Sequence, residues 1–453
     1  MADEGLASLT ATEAGAKIAS GAIAIEHYAR ACLDRIAAQD GELKAFVHID
    51  RDHVLAQARA LEEQRSQGRL LGPLHGVPVA VKDIIDTTDY PTELGSPLAS
   101  GRRPRHDATV VAKLRAAGAI IIGKAVTTEF AYYHPGPTRN PRDPSRTPGG
   151  SSSGSAAAVA ADMVPLALGS QTNGSTIRPG AFCGVFAIKP SHGLISRAGV
   201  LTLSPKLDHM GAFARSLDDL ALILDVIAGP DAADPDTRPF AAASFRQVEK
   251  ECPSAAPRFA FVRSPIWNKA DAETRAAFDQ LVKALGPAVA EVDLGEGFAE
   301  AWDVHRTIMA TDMAHHLAPF VARGEPSAAM RELLSHARSI KALDYLVALA
   351  KADRYAARLA EILAEHDAIL TPATAGVAPK GLSATGDPAF CTVWTLTGLP
   401  SVSLPLLRGQ DGLPLGVQLV GAAGQDGSLL RTAAALMRTV GEINARCATH
   451  PAG

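Results

Sequence analysis

Two short apolar strands separated by a helix-forming stretch limit the folds open to this chain more than any other feature. Val79-Ala80-Val81 follows a turn-rich segment, Gly72-Pro73-Leu74-His75-Gly76-Val77-Pro78, and ends in Lys82. Residues 107–117 predict a helix, and Ala119-Ile120-Ile121-Ile122-Gly123 predicts a second strand. Strand, helix and strand in that order imply α/β architecture, with helices covering a sheet.

The rest of the chain fits this frame. Ile18, Ile25, Ala29, Leu33 and Ile36 give helical periodicity over residues 10–40, and residues 50–68 predict another helix ending near Gly68. Residues 155–161 form a small-residue helix suited to close packing on a sheet, and 218–228 an amphipathic one. After the loop 230–235, residues 298–366 are mostly helical and carry His305, His315, His316, His336 and His366. Strand texture returns at 368–372, 401–405 and 416–420. No repeat or linker divides these elements. We therefore expect one domain over 1–453, with 235–366 as a variable, mostly helical substrate-pocket region within it.

Composition narrows the functional classes. With 453 residues, 47% of them apolar, the chain can bury a large core. A formal charge of -4 gives no attraction to nucleic acid or to an anionic membrane. No apolar run reaches the ~18 residues that span a bilayer, and Met1-Ala2-Asp3-Glu4 does not open a signal peptide. Cys32, Cys183, Cys252, Cys391 and Cys447 are odd in number and contain no C-x-x-C pair. They read as buried thiols in a reducing compartment, not as a disulfide framework or zinc site. Cytoplasmic location, no cofactor and no metal are the expectations. The paired His315-His316 and His336 are expected on helix surfaces or a pocket rim.

Chemistry concentrates in two Gly/Ser turns. One is Pro148-Gly149-Gly150-Ser151-Ser152-Ser153-Gly154-Ser155; the other is Gly169-Ser170-Gln171-Thr172-Asn173-Gly174-Ser175. A serine hydroxyl needs a base to become a nucleophile. A lysine serves once burial lowers its pKa and leaves it neutral, and Lys82 at the end of an apolar strand is placed for that. Asp83, its neighbour on a strand, points the other way and need not pair with it. Successive N–H groups of Thr172, Asn173, Gly174 and Ser175 could converge on an oxyanion. Gly150-Ser151-Ser152-Ser153-Gly154 also satisfies the G-x-S-x-G elbow with Ser152 as nucleophile. However, a Pro/Arg-rich loop, not an apolar strand, precedes it. Ser155 and Ser170 read as structural turn residues. Tyr132 and Tyr133 either line a pocket entrance or are packed loop aromatics.

These turns resemble the amidase signature family of serine hydrolases, whose pattern is G-G-S-S-G-G-S and then G-T-D-T-G-G-S-I-R-x-P. Ser175 follows Ser151 by 24 residues. The blocks at Lys82-Asp83, Gly123-Lys124, Glu129-Phe130-Ala131, Cys183-Gly184-Val185, Leu207-Asp208-His209-Met210-Gly211, Gly398-Leu399-Pro400 and 412–418 extend the resemblance over nearly the whole chain. It implies the amidase-signature fold: a large mixed central β-sheet with helices on both faces and a helical insertion. It implies Ser175 as nucleophile, Ser151 on a cis peptide as proton relay, and Lys82 as base. The backbone of Thr172, Asn173, Gly174 and Ser175 would form the oxyanion hole. The reaction implied is hydrolysis of small or aromatic amides or anilides, with a carbamate as alternative substrate. A glutamine-hydrolysing amidotransferase component that works with partner proteins is a further alternative. A monomer or homodimer acting on a small molecule is expected. Gln171 in place of Asp, Asn173 in place of Gly, and an arginine displaced to Arg178 depart from the pattern. They imply rewired supporting hydrogen bonds, with Arg178 as a structural anchor.

Overall fold

A computed structural model describes residues 5–239, 244–251 and 255–449, with side chains to 443. Among the described residues, eleven strands form one sheet: β1 Phe46–His48, β2 Pro78–Lys82, β3 Ile120–Ala125, β4 Leu166–Gln171, β5 Phe186–Lys189, β6 His209–Ala214, β7 Phe259–Val262, β8 Val289–Val292, β9 Ala368–Pro372, β10 Ser401–Arg408 and β11 Pro414–Val420. Their spatial order is β1-β3-β2-β4-β6-β5-β10-β11-β9-β7-β8. β2 runs parallel to β3 and β4, while β4 pairs antiparallel with β6. The sheet is therefore mixed.

Alternation along the strands builds two cores. Val79, Val81, Ile121, Leu166 and Leu168 share one apolar cluster with the helix Leu217–Ile227. Ala80, Ile120, Ile122 and Ala167 share the other with the helices Ile25–Leu43, Arg51–Ser66 and Ser153–Ala160. Period-two geometry sends neighbours to opposite faces, so helices cover both. The helix Ser153–Ala160 lies close to the sheet because its residues are small. A Cβ on Gly154 would sit 2.1 Å from the Ala45 carbonyl oxygen and 2.4 Å from the Val126 nitrogen.

Two expectations need correction in detail, and one further element is new. The periodicity over 10–40 is two helices, Ala11–Ala19 and Ile25–Leu43, parted by Gly21 at φ +75°. That left-handed angle favours glycine and ends a helix. The stretch 235–366 is mostly helical, but it also supplies β7 and β8, which pair in parallel and extend the sheet beyond β9. Finally, the residues just after Ser175 form a helix, Ile177–Cys183. Cys32, Cys183 and Cys391 are buried free thiols; Cys252 and the Cys447 side chain lie outside the described residues. No helix among the described residues is long and apolar enough to cross a membrane.

Candidate active site

Lys82 closes β2, and its side chain is fully buried. Nζ lies 2.7 Å from Ser151 Oγ and 2.8 Å from Ser170 Oγ. Burial drives the amine well below the ordinary lysine range, against an opposing pull from the Asp208 carboxylate. Asp83 turns away and pairs with Lys124 at 3.2 Å.

The Gly150–Ser151 peptide bond is cis. Two links clasp this turn to the next one. Ser152 N–H donates to the Ser175 carbonyl at 3.3 Å, and Arg178 Nη2 donates to the Gly150 carbonyl at 2.7 Å. Ser152 Oγ is fully buried and exchanges hydrogen bonds with both backbone groups of Ser170. That binding leaves it no role as an elbow nucleophile. Ser155 Oγ donates to the Leu168 carbonyl, a structural bond as expected.

Gln171 shows what the departures from the pattern do. Its Oε1 accepts from the N–H groups of Thr176 and Ile177 at 2.8 and 2.9 Å. Its Nε2 donates to Thr395 Oγ1, which in turn donates to the Asn173 carbonyl. A carboxylate could take the first role but has no proton for the second. Asn173 Oδ1 accepts from Thr392 Oγ1 at 2.9 Å. The N–H groups of Thr172, Asn173, Gly174 and Ser175 have no acceptor among the described residues. Gly174 is required by space: a Cβ there would lie 2.9 Å from Pro388 Cβ. Arg178 is buried and anchors Gly150, Thr385 and Gly386 through its Nη atoms. It does not pair with position 171. Replacing Gln171 by Leu orphans two buried N–H groups, so we expect a loss of about 2–5 kcal/mol, read as a lowered denaturant midpoint.

Three residues here were not singled out for the site from sequence. Ser170, read as structural, is the second partner of Lys82. Asp208 accepts from Thr172 Oγ1 at 2.7 Å. His305, from the helix Ala301–His316, is buried and donates from Nε2 to the Thr172 carbonyl at 2.8 Å. Burial lowers His305 to about 4, against the pull of that hydrogen bond. Above the ordinary histidine pKa of about 6.5 both folded and unfolded chains are neutral at this site. As pH falls toward 4 only the unfolded chain takes up the proton, so stability is lost. Wild type should lose about 3 kcal/mol more than His305→Gln between about pH 7 and about pH 4, measured by denaturant unfolding.

Tyr132 and Tyr133 pack against each other at 4.5 Å and line a 220 Å³ cavity with Asn173, Trp302, His305 and Met309. The turn before Ser175 and the helical stretch thus share one pocket. A family model for amidases matches residues 27–430.

The chain belongs to the amidase family.

This amidase is 35% identical to a glutamyl-tRNA(Gln) amidotransferase component from Anaeromyxobacter sp. (strain K), over 97% of this chain and 98% of that one. Among solved structures it resembles the peptide amidase from Stenotrophomonas maltophilia, with TM-score 0.84 and 30% identity over 95% of this chain and 96% of that one. It also resembles a 6-aminohexanoate cyclic dimer hydrolase in complex with substrate, with TM-score 0.85 and 26% identity over 97% and 98%. The mixed sheet with helices on both faces is the amidase-signature fold that the sequence implied.

Proposed function

We propose that this amidase hydrolyses small or aromatic amides and anilides to carboxylate and amine through an acyl-enzyme on Ser175. The observation that carries the reading is the fully buried Lys82 amine, 2.7 Å from Ser151 Oγ. A neutral amine takes the proton of Ser175 through Ser151 as Ser175 Oγ bonds to the carbonyl carbon. The oxyanion that forms meets the free N–H groups of Thr172, Asn173, Gly174 and Ser175. The relay then returns the proton to the leaving nitrogen as the C–N bond breaks. Water, deprotonated by the same relay, releases the acid. No step calls for a cofactor. The segment 235–366 supplies the pocket wall, an assignment supported by Trp302, His305 and Met309.

Two other substrates suit the same machinery. A carbamate would be cleaved at the same carbonyl, giving a carbamic acid that loses carbon dioxide. Glutamine hydrolysis within an amidotransferase is favoured by the names of relatives such as the Anaeromyxobacter protein. Purified enzyme assayed on a nitroanilide, a primary aryl amide, an aryl carbamate and glutamine separates the three. We expect amine release from the anilide and aryl amide to exceed release from glutamine. Turnover of glutamine alone would overturn the reading in favour of an amidotransferase component, and of the carbamate alone in favour of a urethanase.

A further inference from the structure

The 220 Å³ cavity beside the Ser175 turn holds hydrogen-bond donors with nothing to bind. Asn173 is 5% exposed, and its Oδ1 is engaged by Thr392, yet its Nδ2 has no partner. Tyr133 Oη is likewise buried; its hydrogen-bonding neighbour is the Asn173 side chain, whose Nδ2 faces the phenol oxygen, and the phenol proton has no acceptor among the described residues. Burial pushes the Tyr133 phenol above its ordinary value, so it stays protonated and donates. Both residues line the same cavity. Buried donors are normally satisfied, and leaving them bare is costly. A pair left bare at the wall of a substrate pocket marks the place of an acceptor on the ligand.

The side of the nucleophile is set by the other walls. Ser175, Lys82, Ser151 and Ser170 do not line this cavity, which meets the Ser175 turn through Asn173. Ser170 instead borders a separate 370 Å³ cavity with Asp208 and His209. The leaving amine must face the Ser151–Lys82 relay that protonates it, so the cavity of Asn173 and Tyr133 holds the acyl group. Its deep donors are neutral. Its charged pair, Arg306 and Glu332, lies 3.7 Å apart toward solvent, with side chains 39% and 79% exposed. A buried carboxylate needs a charge partner, whereas a carbonyl, ether or ring nitrogen needs only these donors.

Resting on the proposed hydrolase reading, we infer that the preferred acyl group carries a neutral hydrogen-bond acceptor a few atoms beyond the scissile carbonyl, read by Asn173 Nδ2 and Tyr133 Oη. Asn173 and Tyr133 are then specificity residues. An all-carbon acyl chain of the same size leaves both donors unpaired and is disfavoured.

The test compares 4-nitrophenyl methoxyacetate with the near-isosteric butanoate and with the mono-nitrophenyl ester of succinic acid. The probes are wild type, Tyr133→Phe, Asn173→Gly and Asn173→Asp. Intrinsic reactivity differs among the esters, so the quantity read is the methoxyacetate-to-butanoate ratio of kcat/KM, compared between wild type and each variant. We expect this ratio to fall about tenfold in Tyr133→Phe and in Asn173→Gly, and further in Asn173→Asp, which sets an acceptor against an acceptor. A merely structural role would lower both esters together and leave the ratio fixed, and that result overturns the inference while the hydrolase reading stands. Preference for the succinate ester that vanishes in the variants overturns the neutral-acceptor assignment. If the esters are not turned over, the same ratio is read on the matching 4-nitroanilides, and no Ser175-dependent turnover of these overturns both readings.

Discussion

On the proposed mechanism, replacing Ser175 by alanine should lower kcat/KM for an anilide by about a million-fold. The change removes one oxygen and keeps the backbone N–H groups of the turn. Ser175 stays clasped through its carbonyl to Ser152, and Gln171 still binds the two N–H groups that follow. The fold therefore survives, and the denaturant midpoint should move by less than about 0.5 kcal/mol equivalent. What remains is the rate supplied by binding and the oxyanion donors, about a thousandfold over water. Steady-state kinetics alongside an unfolding curve separate this outcome from simple misfolding. Activity within tenfold of wild type would remove Ser175 from the mechanism.

Lys82→Met is the second large effect, a fall in kcat/KM of about 10³–10⁴-fold. Methionine fills a similar volume in the fully buried slot without a proton-accepting atom. It breaks the bonds to Ser151 and Ser170 but inserts no charge. Lys82→Arg provides the contrast. It keeps donors for both hydroxyls but cannot release its proton, so it should not restore activity. The pH profile carries the same information. Burial holds Lys82 well below the ordinary lysine value of 10.5. The proposed relay needs the neutral form, so kcat/KM should rise with pH and level off well below that value. A rise that follows an ordinary lysine, or a profile unchanged in Lys82→Met, would contradict the role of this amine.

Much of this was legible in the sequence because the signals are local. A β-branched strand ending in lysine, and two Gly/Ser turns at fixed separation, are written in consecutive residues. The structure brings Lys82 to Ser151 and packs the turn of Ser151 against the turn of Ser175. Contacts across long separations left no such trace. His305 meets Thr172 across 133 residues, and nothing in its helix distinguishes it from His315 or His336. Ser170 looked structural because its hydroxyl had no visible partner until β2 and β4 were paired. The helix Ile177–Cys183 was hidden by Pro179 and Gly180, two residues that normally break helices. Pro179 is tolerated because it stands in the first turn, where its missing N–H would have had no intrahelical acceptor. Gly180 is explained by packing: a Cβ there would come within 2.5 Å of Ala187 Cβ. Gln171 and Asn173, read as departures, form one hydrogen-bonded unit with Thr392 and Thr395 of the helix Ala389–Leu396. The size of that unit could not be read from either turn alone.

The site of covalent labelling by a serine-directed fluorophosphonate decides whether Ser175 is the nucleophile. The labelled protein is digested and the modified peptide sequenced by mass spectrometry, with residual amidase activity followed in parallel. We expect one phosphonyl group on Ser175, activity lost in step with labelling, and labelling slowed in Lys82→Met. Modification at Ser151 or Ser152 in place of Ser175, or full activity after Ser175 is blocked, would contradict that role.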